Sequence, residues 1–473
     1  MLRAYSKSEG TSKRRAPGRP LGDPARVAYD YAAHLLRTLG IDAALDRGRP
    51  DPHPALAWAG SGSMALTGRA GGAPALAPGH VVACARGAVR ALAALLDDAR
   101  ARRRLAGLDG GALLGERAAI LGLTRRGTIS AGGHCRLIRA RDGWIAVNLP
   151  RPDDLATVPA WLERPIAADP WDAIADEVPG RTVASLVTRG RLLGLAVAPT
   201  TGPSVTPPWC RVAARGRGVA PTTSPLVLDL SALWAGPLAG SLLQLAGARV
   251  VKVESIRRPD GARRGPAAFF DLLHAGKESV ALDFATVAGR AALHRLIARA
   301  DIVIESARPR AAHQLGIDPA ALVRARPGLT WISITAYGRS GRAGNWIGFG
   351  DDAATAAGLS AATGALAGSA TPLFCGDAIA DPLTGLHAAV AALAAHRRGG
   401  GTLVALALRD VAAHAAAFGP AVGPATVRTS DDGWDVLAEG SAAPVAAPRA
   451  RPHDDRARPF GADTDEVLGG LDG

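Results

Sequence analysis

The sequence predicts an α/β fold built on a doubly wound parallel sheet with a smaller α+β domain beside it, on three observations. Residues 226–254, LVLDLSALWAGPLAGSLLQLAGARVVKVE, read as strand, small-residue turn, helix and second strand. Short apolar, β-branched runs then recur at helix-length intervals, at 279–282, 302–304 and 331–334. Strands alternating with helices in this way form parallel sheets covered on both faces. Residues 135–149 divide into CRLIRA, RDG and WIAVNL, a hairpin pattern, with helical patterns following to about residue 193.

The first of these units is the most informative. Run 226–230 ends in Ser231, and run 249–253 is apolar and β-branched, as buried parallel strands are. Between them Ala235-Gly236-Pro237 opens a helix over 238–246, and Gly247 stands where a helix C-terminus takes a positive φ. Such a Rossmann-like unit places its ligand at the carboxyl end of the first strand, beside the helix N-terminus. A dinucleotide, with Glu254 on its ribose, is the first ligand to consider. The glycines argue against it: G-x-G-x-x-G is absent, and Gly236 and Gly240 are four apart with Pro237 between them. The crevice is expected to hold something else.

Before this unit, residues 1–25 are polar, basic and rich in Gly and Pro, the composition of a disordered tail. Helical patterns run over 27–45 and 87–105. Residues 200–224 form a Pro/Gly/Thr linker, the best domain boundary in the chain. The expected division is therefore a tail (1–25), an N-terminal half with the small domain (26–199), the linker (200–224), the α/β domain (225–412) and a C-terminal wrapping segment (413–473). That last segment is Ala/Pro-rich from about Asp410 and ends in a short helix signal over 464–468. An internal repeat links the two halves. SGSMALTG (61–68) matches AGLSAATG (357–364), and the alanine-rich helices beyond align on Gly87 and Gly385, which sets Ala83 opposite Asp381.

Of the 473 residues 48% are hydrophobic but only 4% aromatic, so the core is expected to be packed mainly with Ala, Leu and Val. No apolar run approaches the roughly 20 residues of a membrane span, and no secretory signal is expected. Cys84, Cys135, Cys210 and Cys375 lack C-x-x-C or metal spacing and are expected to be buried, reduced thiols of a cytoplasmic protein. The net charge of +13 is nearly all arginine, dispersed outside Lys13-Arg14-Arg15 and the 100–104 cluster. The few aromatics form no stacking platform, so an anionic small ligand fits better than a nucleic acid.

Asp381-Pro382, opening a long apolar helix, is the best candidate for chemistry. The pair is also the signature of an ordinary N-cap with proline at N1. A carboxylate there is favoured as the anion, and the same N–H groups can face a developing oxyanion. Asp377 is read as a solvated loop acid, with a second acid of the site as the alternative. Asp351-Asp352, after Gly348-Phe349-Gly350, are read as a capping or solvated pair, with one of them lining the site as the alternative. Nucleophile-elbow and metal-ligand spacings are both missing.

From 226 to about 410 the chain resembles the class III (family III) CoA-transferases, the group of formyl-CoA and carnitine CoA-transferases, with the 2-methylacyl-CoA racemases as relatives. The matching pieces are LDLSALWAGPLAGSLLQLAGARVVKVE, HAGKESVALDFATVAGRAALHRLIARADIVIESARP, Leu315-Gly316, LTWISITAYGRSG and ADPLTGLHAAVAALAAHRRGGG, in that order. The last residues, PRARPHDDRARPFGADTDEVLGGL, look like the family's closing segment. Residues 57–200 look like a second, degenerate piece of the same fold, with the small domain lying before the nucleotide-like half.

The resemblance implies the family III CoA-transferase fold and a homodimer. It implies that Asp381 is the nucleophile and that Ala232, Trp234, Ala235 and Gly236 line a coenzyme A crevice. Further contacts would come from Lys277, Ser306, Ala307 and Arg308, with Arg257, Arg258, Arg263 or Arg264 available to the CoA phosphates. Coenzyme A and acyl-CoA would be substrates, with a carboxylic acid as acceptor, no permanently bound cofactor, no metal, and no nucleic-acid or membrane partner. Three departures stand out. A common Asn is Ser306 here, the usual acidic residue of the G-Y-D segment falls on Gly350, and Phe349 occupies the place of the racemases' His. The expected activity is CoA transfer through an aspartyl mixed anhydride and an aspartyl-CoA thioester. The alternatives are a 2-methylacyl-CoA racemase and a noncatalytic CoA-binding protein.

Overall fold

A computed structural model describes residues 23–166, 169–453 and 455–470. The basic tail expected over 1–25 lies outside the described residues up to 22, and Pro24–Arg26 form a short 3-10 turn.

Thirteen strands form three sheets among the described residues. The hairpin expected over 135–149 is β1 (Cys135–Ala140) and β2 (Gly143–Asn148), antiparallel with Cys135 opposite Asn148; β3 (Ala196–Pro199) joins it as a third strand. The large sheet contains β4 (Arg211–Arg215), β5 (Leu226–Asp229), β6 (Arg249–Ser255), β7 (Glu278–Leu282), β8 (Ile302–Glu305), β9 (Thr330–Thr335) and β10 (Thr402–Ala407). Its order is β4-β10-β9-β8-β5-β6-β7, parallel except for the edge strand β4. The fold is thus the mixed α/β architecture expected, with a seven-stranded, mostly parallel sheet.

Alternation along the strands separates two apolar layers. Val227, Ile302, Ile304 and Ile332 face one layer, while Leu228, Val303 and Trp331 face the other. In the first layer the helix Ala380–Arg397 lies at the centre of the molecule. Ala380 and every residue from 382 to 396 are buried, so Asp381 and Arg397 are the two of its residues that reach toward solvent. A helix apolar all round belongs in a core.

The two repeats pack alike. A Cβ on Gly385 would meet the Ala235 carbonyl at 2.7 Å, and a Cβ on Gly87 would meet the Ala28 carbonyl at 2.7 Å. Each glycine lets its helix, Ala380–Arg397 or Val81–Ala94, settle onto the backbone of a partner, Ala235–Leu245 or Val27–Thr38.

Several elements differ from expectation. The helix expected over 87–105 is two, Val81–Ala94 and Ala99–Ala106, parted where Asp98 caps the second through the Ala101 N–H. The Pro/Gly linker contains β4, whose exposed residues carry no strand alternation. The Ala/Pro-rich C-terminal segment contains a meander of β11 (Thr426–Ser430), β12 (Gly433–Ala438) and β13 (Ser441–Pro444). Beyond it the chain covers the free edge of β7: Asp463 accepts from Ser279 N–H at 2.7 Å and Thr464 from Ala281 N–H at 3.0 Å. The signal over 464–468 is the helix Thr464–Gly469.

Candidate active site

The strand order reverses between β5 and β8, and a doubly wound sheet binds its ligand at the carboxyl end of such a switch point. The two loops expected to line a crevice meet there. Ser306, just after β8, accepts a hydrogen bond through Oγ from the Ala232 N–H, just after β5, at 3.0 Å. Ala307 and Arg308 are exposed at the rim, while Trp234, Ala235 and Gly236 are buried where the helix Ala235–Leu245 begins. Leu233 between them has φ 71, a left-handed conformation that costs a branched residue energy. The Asp260 carboxylate accepts its N–H at 2.9 Å and holds the turn.

Beneath this turn lies a buried charged network that the sequence reading missed. Asp260 pairs with Lys252 at 3.1 Å, and Lys252 also donates to the Ser231 carbonyl. Asp229 pairs with Lys277 at 2.9 Å, and burial, which would raise its carboxyl, is overcome by the ammonium groups of Lys277 and Lys252, which hold it below the usual range. Lys277 also donates to the Pro237 carbonyl at 2.8 Å. Its side chain therefore braces the turn from below and is not presented to the crevice. Glu254, the residue a ribose would have needed, is occupied by Arg263 in a forked pair and by the Asp260 N–H at 2.8 Å. Of the arginines considered for phosphates, Arg257 pairs with Asp283 and Arg263 with Glu254, while Arg258 and Arg264 are exposed.

Asp381 is not the N-cap. The helix begins at Ala380 with Ile379 as its cap residue, and Asp381 lies in the first turn with no side-chain capping bond. Its carboxyl is free of that role and sits in a cluster. Gly350 presses on it: a Cβ at 350 would overlap both Asp381 Oδ2 and the Ala378 carbonyl. Asp351 accepts the Ala378 N–H at 2.9 Å. Asp352 is fully buried, bonded by Tyr337 Oη at 2.5 Å, Asn148 Nδ2 at 3.0 Å and the Phe349 N–H at 2.8 Å. The adjacent acids are thus neither solvated nor equivalent; Asp352 is tied into the fold by three bonds, while Asp351 bonds the turn that leads into Asp381. Asp377, read from sequence as a solvated loop acid, is fully buried and clasped by Arg117, with contacts of 2.8 and 2.5 Å.

Desolvation pushes the Asp381 carboxyl up to about 7, with Arg117 opposing it and Asp351, Asp352 and Asp377 adding to it. Asp351 is pushed up to about 7 by the same desolvation and by Asp377, against Arg117 and the Ala378 N–H. Arg117 itself is held above the ordinary guanidinium range, because the Asp377 pairing outweighs its burial. Two carboxyls poised near neutrality beside a helix N-terminus can serve nucleophilic or proton-transfer chemistry. Neither sequence spacing nor the repeat pointed to Arg117, Tyr337 or Asn148. The four cysteines are buried and free as expected, and no group of three or more metal-binding side chains occurs among the described residues.

Residues 225–433, under half of the chain, match the profile of CoA-transferase family III. The succinate–glutarate CoA-transferase of Agrobacterium fabrum is 33% identical over 39% of this chain and 50% of its own length. The succinyl-CoA–D-citramalate CoA-transferase of Chloroflexus aurantiacus is 33% identical over 36% of this chain and 44% of its own. A formyl-CoA:oxalate CoA-transferase of Escherichia coli is 29% identical over 39% of this chain and 46% of its own. Among solved structures, a CAIB/BAIF family protein from Brucella suis is 27% identical over 45% of this chain and 65% of its own, with a TM-score of 0.38. The chain spans about half the length of the curated relatives it matches. Residues 225–433, the stretch that is similar to CoA-transferase family III, hold six of the seven strands of the large sheet, its switch point and Asp381.

Proposed function

We propose that the protein transfers coenzyme A from an acyl-CoA to a carboxylic acid, with Asp381 as the covalent nucleophile. The observation that carries the reading is the position of Asp381. It is one of the two residues of a buried helix that reach toward solvent, and it stands in that helix's first turn with its carboxyl free of any capping bond.

In the proposed sequence the Asp381 carboxylate attacks the thioester carbonyl of the donor. The C–S bond breaks, giving an acyl-aspartyl anhydride and CoA thiolate. The thiolate attacks the aspartyl carbonyl, the donor acid departs as carboxylate, and an aspartyl-CoA thioester remains. An acceptor carboxylate then reverses both steps and leaves with CoA. Each step exchanges one acyl bond for another, so water must be kept out. The positive end of the helix dipole at this first turn favours the negative charge of the tetrahedral oxyanions. The crevice between Ala232 and Ser306 is the proposed seat of CoA, with the exposed Arg308, Arg258 and Arg264 able to meet its phosphates.

Racemization of a 2-methylacyl-CoA is the weaker reading, because Phe349 offers no acid or base; instead, Arg151 lies over its ring at 5.9 Å. Incubation with an acyl-CoA and a free carboxylic acid in deuterated water tests the proposal. CoA exchange without deuterium entering the α-position is expected. Deuterium incorporation without exchange would establish the racemase reading, and binding alone a noncatalytic role. The protein is further proposed to work in the cytoplasm as a homodimer; no helix among the described residues is long and apolar enough to cross a membrane.

A further inference from the structure

Two residues at the site take left-handed backbone without being glycine, Leu233 at φ 71 and Ala378 at φ 42. Such conformations persist only where the surroundings over-determine them. Arg117, in the N-terminal helix Glu116–Leu121, touches the chain neighbour of each. Its guanidinium forks onto Asp377, which precedes Ala378, and its Cζ lies 5.4 Å from the ring centre of Trp234, which follows Leu233. Two more bonds from the N-terminal half close on the same loop. The Gly127 carbonyl accepts from Phe374 N–H at 3.1 Å, and Thr67 Oγ1 accepts from Gly376 N–H at 2.8 Å.

We propose that Arg117 is a positioning residue for Asp381: through Asp377 it holds the strained 376–378 turn in the conformation that aims the nucleophile, and through Trp234 it ties that turn to the crevice. The inference rests on the CoA-transfer reading and gives the N-terminal half a share in the site. A planar guanidinium meeting both carboxylate oxygens fixes direction as well as distance. The link from Asp377 to Asp381 is short. Asp381 N–H donates to the Ala378 carbonyl at 2.8 Å, and Ala378 N–H donates to Asp351. A displaced Ala378 therefore displaces both poised carboxyls. The Thr67 contact comes from the SGSMALTG repeat, so the repeat serves the site although its own counterpart of Asp381 is Ala83.

The test measures amide hydrogen exchange and steady-state CoA exchange on the full chain carrying Arg117→Gln, Arg117→Lys or Thr67→Val. In Arg117→Gln the amides of 374–381 are expected to lose protection while β5 and β9 keep theirs, with kcat falling about 100-fold, the scale of an ångström's misplacement. Arg117→Lys, which keeps the charge without the fork, is expected to restore part of both. Thr67→Val removes one acceptor and leaves no charge unpaired, so it is expected to fold and to show the same pattern more weakly if Arg117→Gln does not. Unchanged protection of 374–381 in all three variants, with unchanged kcat, overturns the proposal. Should the wild type transfer no CoA, the transfer reading fails, and the hydrogen-exchange result still decides whether Arg117 holds the loop.

Discussion

Gly350 lies so close to Asp381 that a Cβ at position 350 would overlap both Asp381 Oδ2 and the carbonyl of Ala378. The position at which the family resemblance led an acidic residue to be expected thus brings bare backbone against the proposed nucleophile. The acid, Asp351, stands one place later and bonds the Ala378 N–H instead. Gly350→Ala is expected to cost about 1–3 kcal/mol of stability through overpacking and to reduce CoA exchange much more than that loss of folded protein explains. Chemical denaturation together with an exchange assay on the folded fraction checks both.

The buried pair Lys277–Asp229 is expected to matter to the fold rather than to binding. Replacing Lys277 by Met leaves the Asp229 carboxylate with only the Lys252 ammonium nearby, and breaking a buried pair of this kind costs about 3–5 kcal/mol. Adding Asp229→Asn to that variant is expected to recover part of the loss. Urea unfolding of the two variants gives the comparison. A Lys277→Met protein of wild-type stability that binds CoA poorly would return Lys277 to the crevice.

How much of this was legible in the chain differs by distance along it. The βαβ unit, the hairpin and the helix carrying Asp381 are written in contiguous patterns, where strand period, turn glycines and helix length agree. Strand β4 was hidden because an exposed edge strand, RVAAR, needs no alternation, and the C-terminal meander because its outer strands, TVRTS and SAAP, carry almost no large apolar residues. The site was half legible. The two loops expected to line a crevice do meet, and Asp381 does open a buried helix, but its role as a cap was not borne out, since the helix starts one residue earlier. Arg117 and Asp377 are 260 residues apart, and Thr67 and Gly376 309 apart, and no local pattern announces such pairs. Burial made the solvated reading of Asp377 wrong: an acid in a Gly-rich loop looks exposed until the fold closes over it.

The raised carboxyls set the sign of the pH dependence. Asp381 and Asp351, held near 7 in the fold, titrate near about 3.9 once unfolded. Between these values the native chain binds more protons than the unfolded one, so stability falls as pH rises through the window and levels off above about 7. Urea midpoints are therefore expected to be higher near pH 5 than near pH 8 from this contribution, with a shallower slope in Asp381→Asn. The rate of acyl capture should run the opposite way, rising through about 7 as the nucleophile ionises, with an apparent value belonging to the Asp351–Asp381 cluster. A rate already saturated near pH 5 would contradict a nucleophile in this environment.

The most direct test of Asp381 as nucleophile is peptide mapping of the protein after incubation with an acyl-CoA and hydroxylamine. An activated aspartyl group is converted to its hydroxamate, which halts turnover and marks the residue. Asp381 is expected to carry the mark, only when acyl-CoA is present, and Asp381→Asn is expected to fold at least as stably as the wild type, since no capping bond is lost and no buried carboxylate remains at 381 to be desolvated, while transfer falls by several orders of magnitude. A mark on Asp351 or Asp377, or an Asp381→Asn protein that still exchanges CoA at the wild-type rate, would contradict the mechanism.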